Sequence, residues 1–123
     1  MTDKYTDSVL ITLSCGTDNP NRACRALHLT TMAHKEGKKT VLFLLDDGVY
    51  LAKKGLADNL RSATGDIADD LIKYLQDFEV PILACTPCAR ARRIGEADLI
   101  SGARLATAAE LINIACASAV ISL

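Results

Sequence analysis

Aromatic side chains are scarce in this 123-residue chain: three tyrosines, two phenylalanines and no tryptophan. The core must therefore be built from Val, Ile, Leu and Ala, and the 50% hydrophobic content is enough for it. Net charge is nearly absent too, at −1 with an isoelectric point near 6.1, which excludes a general basic surface for nucleic acid. No apolar run approaches the roughly 20 residues that span a bilayer, so no membrane span is expected. Residues 1–8 lack a basic flank leading into an apolar stretch, and no secretory signal is expected. Walker A and G-x-G-x-x-G loops are missing, which removes the support for nucleotide binding. The five cysteines are odd in number and do not have the spacing of a secreted disulfide framework. A reducing, cytoplasmic compartment is the simplest expectation, and there a close cysteine pair serves catalysis or metal binding more often than structure.

What is present reads as one domain over residues 1–123, near the common size for a single core. Val9 to Leu13 is a continuous apolar run, as in a strand covered on both faces. Asn19 then offers an N-cap with Pro20 at the first helical position, and Ala23, Ala26, Leu27, Thr30 and Ala33 recur at helical spacing until Gly37. A second strand is expected over Thr40–Leu45, then Asp46-Asp47-Gly48 and a short helical turn over Val49–Lys54. Asp66 opens an amphipathic helix with Ile67, Leu71, Leu75 and Phe78 along one side. Val80 to Ala84 is the third strand, and Leu99–Leu105 offers another. Thr107 and Glu110 have the spacing of a capping box, and Ala119–Ile121 closes the pattern as a last short strand. Alternating strands and helices predict an α/β fold, a three-layer α/β/α sandwich on a mostly parallel sheet of about five strands. Ligands of such sheets bind beyond the carboxyl ends of the strands. Cys15, Asp46, Asp47, Cys85 and Cys88 all follow expected strands, so one edge should gather them.

The segment richest in chemistry is Cys85-Thr86-Pro87-Cys88-Ala89-Arg90-Ala91-Arg92-Arg93. A thiol attacks as thiolate, and adjacent cations or a helix N-terminus favour that form. Arg90, Arg92 and Arg93 are candidates to stabilise the thiolate or an anionic donor, against the plainer roles of a solvated helix face or a subunit contact. The cysteine pair has several readings. Zinc needs about four ligands, and neither a second close pair nor a suitably spaced histidine is present, so no metal or other cofactor is expected. A thioredoxin-type dithiol matches C-x-P-C, but such a fold wants a later proline, and none follows Pro87. A sulfur-handling cysteine on another α/β scaffold is the third reading, and two inert buried thiols the fourth. Cys15 is a further candidate in a loop at the same edge, with packing as its plainer role. Cys24 and Cys116 read as helix packing and His28 and His34 as the exposed side of the first helix; Asp46 and Asp47 are candidate general acids or bases, with a turn as their plainer role.

Three groups of residues carry a resemblance. Cys88-Ala89-Arg90-Ala91-Arg92 followed by Ala97-Asp98-Leu99-Ile100-Ser101-Gly102-Ala103 is similar to the signature of the DsrE/DsrF-like sulfur-relay family. Gly48-Val49 with Ala52-Lys53-Lys54-Gly55 resembles that family's stretch after the second strand, and Gly16-Thr17-Asp18 fits its N-terminal loop. The resemblance implies a homotrimer or homohexamer that carries sulfur as a cysteine persulfide or thiosulfonate, taking it from sulfur donors and passing it to acceptor thiols. One subgroup places its cysteine four residues before the arginine, at Cys88, and another seven before, at Cys85. Where the family carries glycine after that arginine, this chain has Arg93. The expected function is therefore that of a sulfur carrier or sulfurtransferase. The alternatives are a non-catalytic oligomeric binding module of the same fold and a dithiol redox protein using a Cys85–Cys88 disulfide.

Overall fold

The computed structural model of the protein describes residues 6–123. Five strands, β1 (Ser8–Leu13), β2 (Lys39–Leu44), β3 (Ile82–Cys85), β4 (Ala103–Ala106) and β5 (Ala119–Ser122), form one sheet in the order β4-β3-β2-β1-β5. Every pairing is parallel. Helices α1 (Pro20–Lys35), α2 (Ala68–Asp77), α3 (Thr86–Ala91) and α4 (Ala108–Cys116) and two 3-10 turns (Asp46–Ala52 and Glu96–Asp98) complete the order. The result is the expected three-layer α/β/α sandwich.

Alternation along the strands sorts the core into two faces, because successive side chains in a strand point to opposite sides. Ile11, Leu13, Leu42, Leu44, Ile82 and Ala84 pack with Ala23, Leu27, Ile72 and Leu75 of α1 and α2. Leu10, Phe43, Leu83 and Ala106 point the other way and meet Leu111, Ile114 and Ala115 of α4. The first face is thickly covered. The second rests on one helix.

Several local expectations hold. Asn19 caps α1, its side chain accepting from the Arg22 N–H at 3.2 Å, with Pro20 at the helix start. Thr107 and Glu110 form the reciprocal capping box of α4. Other boundaries move for identifiable reasons. Strand β3 begins at Ile82 rather than Val80, because Pro81 has no N–H to donate and Val80 closes α2 by donating to the Leu75 carbonyl at 2.9 Å. It continues through Cys85, which pairs with Ala106 of β4. Helix α2 begins at Ala68 instead of Asp66, whose N–H is held by Ser62 Oγ at 3.0 Å. Its buried stripe is Ala68, Ile72 and Leu75, so Phe78 lies outside the core and stacks on Tyr74 and His34. The strand expected over Leu99–Leu105 is delayed to Ala103 by a turn through Ser101 and Gly102.

Helices α1, α2 and α3 end alike. In each, a residue with left-handed backbone (Gly37, Glu79, Arg93) is followed by one whose N–H returns to a carbonyl five residues earlier. This is the Schellman arrangement, which favours glycine at the left-handed position. Arg93, at φ 57°, occupies that position after α3. The arginine thus keeps the turn for which the resemblance supplies a glycine.

Candidate functional site

The parallel register brings the ends of β1, β2 and β3 level, with Leu13 opposite Leu44 and Leu44 opposite Ala84. The segments that leave these ends meet over the carboxyl edge of the sheet. Cys85 is the last residue of β3 and the N-cap of α3; Cys88 lies in the first turn of that helix. Thr86 Oγ1 donates to the Ala106 carbonyl at 2.8 Å and ties this turn to the end of β4. Both thiols are free and half-buried, neither sealed in hydrocarbon nor fully in solvent.

The Cys88 thiol points across to the β2 side, where Asp46 Oδ1 accepts from Sγ at 3.8 Å. Asp46 is held at φ 49°, a left-handed conformation that aspartate tolerates better than most residues. Next to it, Asp47 Oδ1 takes Arg92 Nε at 2.9 Å and Nη2 at 2.8 Å. Arg92 Nη1 also donates to the Cys88 carbonyl at 3.0 Å, and its guanidinium lies 5.8 Å from the centre of the Tyr50 ring. The Asp47 hydrogen bond pushes the Arg92 pKa up, so this cation stays charged and committed to its partner. Arg92 therefore hydrogen-bonds Cys88 at the backbone carbonyl. Arg90 and Arg93 are exposed, with no ion pair or side-chain hydrogen bond among the described residues. The arginine cluster read from sequence thus separates into one structural clamp and two solvated cations.

Burial pushes the Cys85 thiol up, and the adjacent Cys88 thiol adds to the effect while the Cys88 amide opposes it. At six residues α3 is too short to bring a full helix dipole to bear on either sulfur. Cys15 is buried; burial first, then Asp18, pushes its thiol up. It stands in the loop that crosses the Asp46–Asp47 turn, with packing as its evident role. Two glycines let these loops touch. A Cβ on Gly48 would lie 2.3 Å from the Leu13 carbonyl oxygen, and one on Gly16 would lie 2.5 Å from that of Asp47.

The remaining candidates fall elsewhere. Cys24 is fully buried, as expected of a packing residue. Cys116, expected to pack within α4, is exposed instead. His28 is exposed, as expected, but His34, expected on the exposed side of the first helix, is half-buried with Nδ1 2.7 Å from the Tyr74 hydroxyl. Among the described residues no group of three or more His, Cys, Asp or Glu side chains is placed to hold a metal ion. No helix among them is long and apolar enough to cross a membrane. The expected gathering of Asp46 and Asp47 with the cysteines at this edge is observed, whereas Tyr50, in the turn after β2, was not singled out from the sequence. The available signal was that turn's place immediately after β2, the strand beside β3.

The model of the DsrE/DsrF-like family matches residues 7–122, which take in this whole arrangement. The chain belongs to the DsrE/DsrF-like family. That family is associated with sulfur relay. An uncharacterized protein of Methanopyrus kandleri is 33% identical over 113 residues, covering 87% of this chain and 85% of its own. Another, from Methanocaldococcus jannaschii, is 38% identical over 91 residues, 74% of this chain and 76% of its own. The crystal structure of the YchN protein from E. coli superposes with a TM-score of 0.78 at 20% identity, over 94% of this chain and 98% of that one. A protein of unknown function from Methanobacterium thermoautotrophicum gives a TM-score of 0.70 at 14% identity, over 98% of this chain and all of that one. These two likenesses establish the shared fold.

Proposed function

We propose that this DsrE/DsrF-like protein is a sulfur carrier whose acceptor is Cys88. The observation that carries the reading is the half-buried Cys88 thiol, aimed at the Asp46 carboxylate where a strand gives way to a helix. A carboxylate placed as acceptor for the thiol hydrogen can take up the proton as the sulfur attacks. The thiolate attacks the outer, sulfane sulfur of a donor persulfide; the donor S–S bond breaks, and the donor leaves as a thiolate that takes up a proton. Cys88 is left as a persulfide, ready for an acceptor thiol to repeat the same exchange. A thiosulfate donor would leave sulfite in the same step. Arg92 positions this chemistry by tying the Cys88 carbonyl to Asp47, next to Asp46. Arg90 and Arg93, exposed beside α3, are available to an anionic donor or to a docking protein.

Mass spectrometry after exposure to a small persulfide, thiosulfate or tetrathionate tests the reading. One added sulfur, about 32 Da, is expected on the peptide holding Cys88 after persulfide treatment. No added mass on the protein, or equal labelling after Cys85→Ser and Cys88→Ser together, overturns it and favours a binding module that keeps the fold without sulfur turnover.

The proposal extends to a homotrimer or homohexamer assembled through α4 and β5. Seven of the nine residues of α4 are apolar, yet none is fully buried. All four residues of β5 are exposed, although parallel strands are ordinarily covered on both faces. Ile112, Val120 and Ile121 stand 61%, 45% and 41% exposed. Further copies of the chain would complete this thin layer, and the compartment in which they act is taken to be the cytoplasm.

A further inference from the structure

Two thiols meet at the start of α3, and sulfur acceptance uses only one of them. Cys85 ends β3 as the N-cap residue of α3. Its sulfur is free, half-buried and adjacent to the Cys88 thiol. Cys88 lies in the first turn of that helix, so the inner sulfur of a persulfide on Cys88 stands only three positions from the Cys85 thiol.

We infer that Cys85 discharges a persulfide formed on Cys88, so that the protein releases hydrogen sulfide and closes a Cys85–Cys88 disulfide when no acceptor takes the sulfur. This inference rests on the acceptor role proposed for Cys88. Cys85 loses its proton, its thiolate attacks the inner sulfur of the Cys88 persulfide, and a Cys85–Cys88 S–S bond forms. The bond from the inner to the outer sulfur breaks, and the outer sulfur departs as hydrosulfide, taking up a proton to become hydrogen sulfide. The sulfane sulfur gains two electrons, and each cysteine sulfur gives one, so the step needs no outside oxidant. A thiol reductant, small or protein-borne, then restores the dithiol for another round. The outer sulfur therefore has two fates. An acceptor thiol takes it by attacking from outside, or Cys85 expels it by attacking from within.

Burial disfavours the thiolate form of Cys85, which slows the internal route and gives an outside acceptor time to act. The pair thereby limits how long a loaded sulfur persists, without preventing its transfer.

The test uses the full chain, reduced, loaded with glutathione persulfide and desalted. Sulfide is then measured over time, and the tryptic peptide Tyr74–Arg90, which holds both cysteines and no others, is weighed without reduction. In the parent, about one sulfide is expected per persulfide lost, with the peptide ending about 2 Da below its dithiol mass. In Cys85→Ser the persulfide is expected to persist, with sulfide release at least about tenfold slower. Equal release from parent and variant, or a parent that loses its persulfide without forming the disulfide, overturns the inference while leaving Cys88 as the acceptor. Failure of both proteins to take up sulfur on Cys88 overturns the acceptor reading and this one with it. The parent's ratio of disulfide to sulfide decides the matter even if the variant folds poorly.

Discussion

Arg92 closes on Asp47 through two nitrogens, Nε at 2.9 Å and Nη2 at 2.8 Å from the same carboxylate oxygen. This pair joins α3 to the turn behind β2, and through it sets where Cys88 stands relative to Asp46. Lysine keeps the charge but has no planar fork to hold Asp47 and the Cys88 carbonyl together. In Arg92→Lys, persulfide loading of Cys88 is expected to slow on the order of ten- to a hundredfold, the scale of a displaced reacting group. Circular dichroism should be unchanged. Equal loading rates would remove Arg92 from the site.

Gly48 is where the turn carrying Asp46 and Asp47 presses on the end of β1. A Cβ there meets the Leu13 carbonyl oxygen at 2.3 Å, and the Leu13 carbonyl already accepts from the Leu45 N–H at 2.8 Å. Neither backbone can yield cheaply. Gly48→Ala is expected to destabilise the fold by about 1–3 kcal/mol in denaturant titration, the usual cost of overpacking. Gly37→Ala offers a contrast, because no atom lies within 4 Å of its added Cβ and only the left-handed backbone opposes the change. A Gly48→Ala midpoint equal to the parent's would show that the two loops are free to part.

The fold was legible in the sequence because its signals are local. The apolar runs of β1 and β2, the Asn19 cap with Pro20, and the Thr107–Glu110 box each specify their own element without help from distant residues. The cysteine pair at the end of β3 was legible for the same reason. Partner choice was not. Arg92 stands beside the thiols in sequence, but Asp47, 45 positions away, holds its side chain. Asp46 was legible as a residue of the sheet's carboxyl edge, but its contact with Cys88 depends on β2 and β3 being neighbours, a property of the sheet order. His34 looked solvated on its helix until Tyr74 and Phe78 of the α2 end came against it.

Arg93 takes a glycine's conformation at φ 57° in the turn that ends α3. Its N–H and that of Ile94 close the turn on the Arg90 and Ala89 carbonyls at 3.0 and 2.9 Å. Among the described residues the exposed guanidinium makes no ion pair or side-chain hydrogen bond to set against the backbone strain. Arg93→Gly should therefore raise stability, by up to about 1 kcal/mol once the greater freedom of glycine in the unfolded chain is counted. A lower melting temperature would mean that the side chain has a structural partner, as a subunit contact would supply.

The exposed apolar surface of α4 and β5 carries a separate expectation. Val120→Lys together with Ile121→Lys should convert the proposed trimer or hexamer to monomers in sedimentation velocity, because charge on an interface core is costly to desolvate. Both side chains are substantially exposed in the single chain, so the monomer itself should keep its helical signal. A parent that sediments as a monomer at micromolar concentration would defeat the assembly proposal without touching the chemistry at Cys88.

Burial pushes the thiols of Cys24 and Cys85 up, and this fixes the sign of an alkaline effect on stability. Near neutral pH both stay protonated in the folded and unfolded chains, and the fold gains nothing from them as pH changes. Above about pH 8.5, the ordinary thiol value, the unfolded chain gives up these protons first. The native state then binds more protons than the unfolded one, so stability falls as pH rises. Cys24 is the cleaner probe, being fully buried in α1 and away from the candidate site. Cys24→Ala should be less stable than the parent at pH 7, having lost a packed sulfur. That gap should narrow between about pH 8.5 and 10, where only the parent pays the ionisation penalty. Urea midpoints under reducing conditions measure it, and a gap that widens with pH would mean that the folded state favours the thiolate.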